Sequence, residues 1–216
     1  MDKELNQAVI NTVIFDLGGV LIDWNPRHLY RKLFNNDEQA MERFLTEVCS
    51  KEWNEQQDAG RSWDEAIQEA IVRHPTHERL IRAYREQWHE MIPHALDETV
   101  TILDGLRTTG IQVLALTNWS HDTFPIAVER FKFLEWFDGV LVSGTEGMKK
   151  PDLAIFALLI SRYKLDPGKA VFIDDSEDNI AASKAAGLQG IHFKDAKQLR
   201  ADLIQLGLPI RALSSP

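Results

Sequence analysis

The hydrophobic residues of this chain fall into short runs that alternate with helical patterns. Five runs have the length and the apolar content of buried strands, at residues 9–15, 111–117, 139–143, 170–173 and 190–193. Each run is followed by a charged or turn residue and then by a helix-like segment. Because strands that alternate with helices build parallel sheets with crossover helices, we expect an α/β fold with a doubly wound, Rossmann-like parallel sheet.

Helical patterns follow these runs in the second half of the chain. They predict helices at 97–108, 152–163, 178–186 and 195–206. Glycines at positions 110 and 187 provide stop signals after the first and third of these helices. The helix at 152–163 is apolar on nearly every side, so we expect it to lie deep against the sheet.

One long interval after the first strand has no strand pattern. Between Asp23 and about His94, helical periodicity alone appears, at residues 27–45, 63–73 and 78–91. Proline and glycine residues separate these segments. The sequence therefore predicts a small helical domain, residues 23–94, inserted into an α/β domain formed by residues 1–22 and 95–216.

Composition excludes several classes of partner. The 216 residues include 24 Lys and Arg against 33 Asp and Glu, a formal charge of −9, so we expect no binding to nucleic acid. No apolar run approaches the ~18 residues that span a bilayer, and the first seven residues lack a secretory signal pattern. We therefore expect a cytoplasmic protein without a membrane partner, in which the single Cys49 is a small apolar filler. The sequence favours neither a monomeric nor a dimeric state.

Chemically active residues follow the predicted strands. In open α/β sheets ligands bind beyond the carboxyl ends of the strands, so these residues should meet at one edge. They comprise three carboxylates, a hydroxyl, an amide, an ammonium and two glycines: Asp16, Asp174, Asp175, Thr117, Asn118, Lys150, Gly18 and Gly19.

This set of residues is typical of phosphoryl transfer. A carboxylate can attack phosphorus and form an acyl-phosphate. Three crowded carboxylates repel one another and need a cation, and hard oxygen ligands favour Mg²⁺. The ion and an ammonium then neutralise charge on the transferred group, while Gly18 and Gly19 let backbone N–H groups approach phosphate oxygens. The sequence thus predicts a small phosphorylated molecule as the substrate.

Four short motifs, in this order, resemble those of the haloacid dehalogenase superfamily of hydrolases, over nearly the whole chain. They are Phe15-Asp16-Leu17-Gly18-Gly19-Val20-Leu21, Leu116-Thr117-Asn118, Lys150-Pro151 and Phe172-Ile173-Asp174-Asp175. The inserted helical domain looks like the helical cap of this superfamily. The resemblance implies a phosphatase-like hydrolase that hydrolyses a phosphomonoester through an aspartyl-phosphate.

The resemblance also implies a role for each motif residue. Asp16 would be the nucleophile, with Thr117 and Lys150 in the catalytic group. Thr117, Asn118, Lys150 and the loop residues Leu17 and Gly18 would bind the substrate. Mg²⁺ would be held by Asp16, the carbonyl of Gly18 and Asp175, with Asp174 binding directly or through water, and Asp178 would support this group.

The sequence departs from the superfamily at Gly18. The phosphatases of the superfamily usually carry a second Asp at this position, which acts as the general acid and base. Such general acid–base catalysis typically raises the reaction rate ~10²–10⁴-fold. Three explanations stay open. Asp23, His28 or a water molecule takes the proton; the substrate has a good leaving group, as an anomeric sugar phosphate does; or the protein binds a phosphometabolite without efficient turnover.

The metal-independent 2-haloacid dehalogenases of the same superfamily are the alternative enzymes. They place an aromatic residue where Gly18 stands, and a carboxylate pair such as Asp174 and Asp175 would be a liability without a metal. The sequence therefore favours metal-dependent chemistry.

Aromatic and basic residues near the first motif are candidates for the substrate entrance. Trp24 follows the nucleophile loop closely, and Arg27 could pair with a substrate carboxylate or phosphate, although a salt bridge is its commoner use. Trp119 either faces the pocket or packs in the core. We expect Trp53, Trp63 and Trp88 to be packing anchors of the helical domain.

Overall fold

The computed structural model describes residues 9–210, and the segment considered above for a secretory signal lies outside this range. Its centre is one sheet of five parallel strands in the order β3-β2-β1-β4-β5. The strands are β1 (Thr12–Phe15), β2 (Gln112–Thr117), β3 (Gly139–Val142), β4 (Ala170–Asp174) and β5 (Gln189–His192). This arrangement confirms the predicted α/β fold with a doubly wound parallel sheet.

All five predicted strands are present in the sheet. The largest difference in their bounds is at β1, which begins at Thr12 rather than at Val9, because Val9 is 79% exposed. β1 lies between β2 and β4, with Phe15 opposite Ala115 and Ile173. The three central strands therefore bring the first, second and fourth motifs to the same edge of the sheet.

Five α-helices and two short 3₁₀ turns fill the interval between β1 and the next sheet helix. They are α1 (Arg27–Leu33), α2 (Glu38–Glu47), α3 (Lys51–Asp58), α4 (Trp63–Arg73), α5 (Glu78–Glu86) and the turns Pro75–His77 and Trp88–Met91. The single helix predicted over 27–45 is two helices, since Asn35 and Asn36 between them have positive φ. Helix α3 was not predicted.

The chain enters and leaves this helical insert side by side. Ile22 forms an antiparallel bridge with Ala95. Asp23 donates its backbone N–H to His94, and Leu96 donates to Leu21. The two connections thus form a short paired ribbon between the sheet and the insert.

Within residues 9–210, six α-helices follow the insert and cover the sheet. They are α6 (Asp97–Arg107), α7 (Phe124–Arg130), α8 (Ser143–Glu146), α9 (Leu153–Tyr163), α10 (Glu177–Ala185) and α11 (Ala196–Gln205). Helix α9 packs against the sheet, as expected, through the fully buried Ile155, Phe156 and Leu159, whereas Leu153 on its other side is 51% exposed. Within residues 9–210, no helix has the length and apolar content to cross a membrane.

The burial pattern of α9 gives a matched pair of substitutions. Leu159 is fully buried in a cluster with Ile14 and Phe172, whereas Leu153 lies half-exposed on the same helix. We expect Leu159→Ala to lower the free energy of unfolding by about 2–5 kcal/mol, through lost burial and the cavity left behind. Leu153→Ala should lower it by about 1 kcal/mol or less. Urea unfolding followed by circular dichroism measures both, and equal losses would contradict the described packing of α9.

Candidate active site

A buried lysine joins two carboxylates at the carboxyl edge of the sheet. Asp16 follows β1 directly, and Asp174 is the last residue of β4. The Lys150 ammonium lies 2.9 Å from Oδ1 of Asp16 and 2.6 Å from Oδ2 of Asp174, and it also donates to the Leu116 carbonyl at 3.0 Å. Its three N–H groups therefore have three acceptors, so a charge with no solvent exposure is fully satisfied.

The electrostatics of Lys150 follow from this geometry. Burial opposes its charge, but the carboxylates of Asp16 and Asp174 outweigh burial and raise the pKa of Lys150 above its ordinary value. The Phe172 ring also lies under the ammonium, with 5.3 Å between Nζ and the ring centroid. Lys150 is thus a permanent positive charge between the ends of β1 and β4.

The carboxyl group of Asp16 is only partly exposed, with 12% of its side chain accessible. Burial raises its pKa to about 7, the Lys150 ammonium opposes this rise, and the charge of Asp174 adds to it. Oδ1 accepts the Leu17 backbone N–H at 2.7 Å as well as Lys150. These two donors hold the Asp16 side chain in one orientation.

Asp174 is fully buried and held from several sides. Besides Lys150, it accepts the Ser176 backbone N–H at 2.8 Å and the Asn179 amide at 3.0 and 3.1 Å. Asn179 lies on α10, the helix whose first turn carries Asp178. Asp174 therefore orients Lys150 and fixes the loop after β4.

The donor set at this edge fits a hard divalent cation. Asp16, Asp174 and Asp175 each offer a carboxylate oxygen, and these three oxygens lie within 4.8 Å of one another. Asp175 is exposed on the crevice wall, and loss of solvent around it, together with the charge of Asp174, raises its pKa. A bound cation would favour the charged form of all three carboxylates.

Gly19 permits the close approach of Asp175 to the nucleophile loop. Its φ of +76° suits glycine, and a Cβ there would lie 2.5 Å from Oδ2 of Asp175. Gly18 is different, because its φ is ordinary and a Cβ would meet only Trp24 Cβ, at 3.7 Å. The backbone therefore has room for a side chain at position 18, where this sequence has none.

Residues of the second motif hold the lysine loop. The Asn118 side-chain amide donates to the Lys150 carbonyl and accepts the Lys150 backbone N–H, both at 2.9 Å. Thr117 is buried at the end of β2, one residue before Asn118. Asn118 thus has a positioning contact that sequence reasoning did not anticipate.

A cavity of about 600 Å³ opens from this edge toward the helical insert. Its lining brings together Asp16, Gly18, Asn118, Lys150, Asp175 and Asp178 with Trp24 and Trp119. Leu17 lies buried behind the loop, and Arg27 forms a bidentate ion pair with Glu42, at 2.5 and 2.7 Å. The structure therefore brings Trp24 to the cavity and leaves Arg27 outside its lining.

Two candidate proton donors from the sequence lie elsewhere. His28 Nε2 is 2.8 Å from Asp23 Oδ2, and His94 Nε2 is 3.1 Å from the same oxygen, beside the paired ribbon. Within residues 9–210, the cavity lining includes none of these three side chains.

The insert contributes residues to the cavity that sequence reasoning missed. Asn54 and Asp58 of α3 line it, and so does Trp88, which was expected only to pack among aromatic rings. Helix α3 carries little apolar periodicity, so hydrophobic spacing gave no signal for it. A polar pair four residues apart, at 54 and 58, is the one feature of the sequence that could have indicated a buried polar face.

The comparison with protein-family models matches residues 10–187 to the haloacid dehalogenase-like hydrolases. The chain therefore belongs to this family and is a hydrolase. It is similar to a sesquiterpene phosphatase from Aspergillus oryzae, with 28% identity over 202 residues that cover 92% of this chain and 97% of the relative. Family and relative together place it among the phosphatase-like members.

Solved structures have the same fold. A predicted HAD-like family hydrolase from Porphyromonas gingivalis matches with a TM-score of 0.72 and 22% identity, over 92% of this chain and 98% of the other. A HAD family enzyme from Bacteroides thetaiotaomicron, in complex with magnesium and inorganic phosphate, matches with a TM-score of 0.67 and 21% identity, over 86% and 95%. At 21–22% identity, these two matches show a shared fold and carry no conclusion about activity.

Gly19 gives a test of the carboxylate cluster. We expect Gly19→Ala to displace the Asp175 carboxylate and to weaken Mg²⁺ binding roughly 10–100-fold, as measured by calorimetric titration. Gly105→Ala is the matched control, because a Cβ at Gly105 in α6 meets no atom within 4 Å. Unchanged Mg²⁺ binding in Gly19→Ala would contradict a cation site that includes Asp175.

Lys150 and its neighbour Lys149 give a test of the buried charge. Lys150→Met leaves two buried carboxylates without their cation, and we expect a loss of about 3–5 kcal/mol in the free energy of unfolding. Lys149 is partly exposed and pairs with Glu55 at 3.0 Å, so Lys149→Met should change the free energy of unfolding by about 1 kcal/mol or less.

The loss in Lys150→Met should also depend on pH. Removal of the ammonium takes away the charge that lowers the pKa of Asp16, so its folded-state pKa rises further above its unfolded value, and stability is lost as pH rises through that folded pKa. Unfolding in EDTA should therefore show a larger deficit at pH 8 than at pH 5. An equal deficit at both values would indicate lost packing rather than lost charge pairing.

Proposed function

We propose that this hydrolase is a Mg²⁺-dependent phosphomonoester hydrolase that forms an aspartyl-phosphate on Asp16. The observation that carries the proposal is the Lys150 ammonium fixed between Asp16 and Asp174, with Asp175 in the same carboxylate cluster. Phosphoryl transfer requires positioning and neutralisation of charge more than it requires covalent groups. This cluster has a nucleophile, a fixed cation and ligands for a second cation.

Each residue then has a defined part in the reaction. Oδ1 of Asp16 is held by Leu17 and Lys150, so Oδ2 is the oxygen that would attack phosphorus. The backbone of the loop at Gly18 and Gly19 and the second motif, Thr117 and Asn118, would bind the phosphoryl oxygens. A Mg²⁺ ion held by Asp16, the Gly18 carbonyl and Asp175 would supply charge neutralisation, with Asp174 contributing directly or through water.

The carboxylate cluster also argues against the dehalogenase alternative. A dehalogenase of this family would hold Asp16, Asp174 and Asp175 together with the single ammonium of Lys150 and no metal. The net negative charge of that cluster would repel an anionic haloacid. A phosphate ester accompanied by Mg²⁺ is the better match to the same charges.

The chemical nature of the cavity limits the substrate to a small phosphorylated molecule with an organic group. Trp24, Trp88 and Trp119 offer aromatic walls, and Asn54 and Asp58 offer polar ones. A sugar phosphate and a phosphorylated terpenoid alcohol, the second suggested by the Aspergillus relative, are both substrates to test. We further propose that residues 23–94 form a cap that covers the phosphoryl site, since α3 and Trp88 of this segment line the cavity.

Phosphate release from a panel of substrates tests this proposal. The panel contains p-nitrophenyl phosphate, sugar 1- and 6-phosphates and a prenyl monophosphate, each with Mg²⁺ and with EDTA. We expect release with Mg²⁺, and its loss by at least about 10⁴-fold in EDTA and in Asp16→Asn, because both changes remove groups that act on the reacting phosphorus.

Two other outcomes have defined meanings. Tight Mg²⁺-dependent binding of phosphate esters without release would overturn the enzyme activity and leave a phosphometabolite-binding protein. Chloride release from a 2-chloro acid in EDTA would identify a dehalogenase. As a control for the Asp16 substitution, Asp104→Asn changes an exposed ion pair with Arg107 in α6 and should leave phosphate release unchanged.

A further inference from the structure

The proposed hydrolysis of an alkyl phosphate needs a proton for the leaving oxygen. Gly18 has no side chain to supply it, and Asp23 and His28 bind each other outside the cavity lining. The group that serves this step has to reach the leaving oxygen, and we therefore search for it among the residues that line the cavity.

Asp58 is a carboxyl group in that place. It is the last residue of α3, it is 8% exposed, and it lines the same cavity as Asp16. Asn54, one turn earlier, donates its amide to Asp58 Oδ2 at 3.1 Å. The two side chains form a buried polar face of the insert, and this face lines the same cavity as Asp16.

Contacts between the insert and the sheet fix the position of Asp58. Ser143, at the end of β3, donates its hydroxyl to the Asp58 carbonyl at 2.5 Å, and it accepts the Trp119 backbone N–H at 2.9 Å. Trp119 follows Asn118, which holds the backbone of Lys150. A continuous chain of contacts therefore runs from Asp58 to the lysine that binds Asp16.

Two glycines allow close packing between the elements near the end of α3. Gly60 has a φ of +102°, and a Cβ there would lie 3.3 Å from the Gly144 carbonyl. A Cβ on Gly144 would lie 2.7 Å from the His121 nitrogen and 2.8 Å from the Trp119 carbonyl. The end of α3 thus rests on the start of α8, which packs in turn on the loop after β2, and Asp58 is buried at this junction.

The surroundings of Asp58 favour its protonated form more than water does. Burial, followed by the charge of Glu55, raises its pKa to about 7, against the opposing charges of Lys149 and Lys150 and the backbone N–H of Ser120. These groups come from α3, from the loop before α9 and from the loop after β2. An acid with a pKa near the working pH is the most effective proton donor.

Unpartnered polar atoms mark the same wall as a ligand surface. Asn54 Oδ1, Trp88 Nε1 and Trp119 Nε1 are buried, and none has a hydrogen-bond partner within residues 9–210. Buried polar atoms in proteins are nearly always bonded, and all three residues line the cavity. If the packing around these atoms opens on binding, a hydroxyl group of the ligand would donate to Asn54 Oδ1, and hydroxyl or ether oxygens would accept the two indole N–H groups.

We propose that Asp58 is a catalytic acid and base of this hydrolase, supplied by the helical insert in place of the missing side chain at Gly18. As Asp16 Oδ2 bonds to phosphorus, the bond from phosphorus to the leaving oxygen breaks, and that oxygen takes the proton of Asp58. The alcohol leaves. The Asp58 carboxylate then takes a proton from water, whose oxygen attacks phosphorus, releasing inorganic phosphate and Asp16. The inference rests on the proposed phosphatase activity.

Leaving-group dependence distinguishes this role from a structural one. The substrates are 4-nitrobenzyl phosphate, which needs a proton on its leaving oxygen, and p-nitrophenyl phosphate, which does not. We expect Asp58→Asn to lower kcat/KM for the benzyl ester by ~10²–10⁴-fold and to leave the nitrophenyl ester nearly unchanged. In the wild type, the ratio of the two kcat/KM values should fall above about pH 7, as Asp58 loses its proton.

Two further variants complete the test. Glu52→Gln makes the equivalent change on the exposed side of α3 and should leave kcat/KM unchanged for both esters. Gly18→Asp in the Asp58→Asn background should restore much of the benzyl ester hydrolysis, because the structure has room for a side chain at position 18.

Equal loss for both esters in Asp58→Asn, without rescue, would assign Asp58 a structural role and overturn the inference. So would no loss for either ester, since another proton donor would then act. If the wild-type enzyme with Mg²⁺ releases phosphate from neither ester nor any substrate of the panel, the phosphatase activity itself fails. The two failures are therefore distinguishable.

Discussion

The ammonium of Lys150 is the charge on which the rest of this site depends. Bringing the carboxyl groups of Asp16 and Asp174 to the ends of adjacent strands, away from water, is unfavourable for both. The lysine reverses this by donating to each of them and to the Leu116 carbonyl, so its own three N–H groups and both carboxylates are paired. The reciprocal bonds between Asn118 and the Lys150 backbone then connect β2 to the same charge. Three neighbouring strands therefore converge on one cation.

This convergence explains why the site needs a second positive charge for chemistry. Lys150 offsets part of the charge of Asp16 and Asp174, but its three donors are already used, and Asp175 adds another carboxylate nearby. A substrate phosphate would bring further negative charge to the cluster. A divalent cation would restore the balance and would favour the ionised form of Asp16, which burial alone disfavours. In the proposed mechanism, the structural and catalytic roles of charge would be divided between a fixed lysine and an exchangeable ion.

The sequence was sufficient to predict the sheet and the sheet-edge residues, because both have strong local signals. Buried parallel strands are short apolar runs, and their carboxyl ends carry Asp16, Asn118 and Asp174. Helix α3 lacked such a signal, since the face it buries carries Asn54, Gln57 and Asp58 beside a single apolar residue, Trp53. Its polarity is what makes it useful at a cavity. Hydrophobic spacing detects elements that pack a core, and it misses an element whose buried face is kept polar for a ligand. A salt bridge was the commoner use expected of Arg27, but its partner Glu42 could not be named from the sequence, because the fold of the insert brings the two together.

The departure at Gly18 and the polar face of α3 have a common physical explanation. A proton donor on the nucleophile loop lies within the same rigid element as Asp16 and acts whether or not the insert is docked. A donor at Asp58 is in place only when the end of α3 rests on the start of α8, with Ser143 bonded to its backbone. Protonation of the leaving oxygen would then be coupled to closure of the insert over the cavity, when water is excluded and the substrate's organic group has been bound. Bond breaking would thus depend on recognition of the leaving group. With the proton donor on the insert, no side chain would be needed at position 18, where the structure has room for a Cβ.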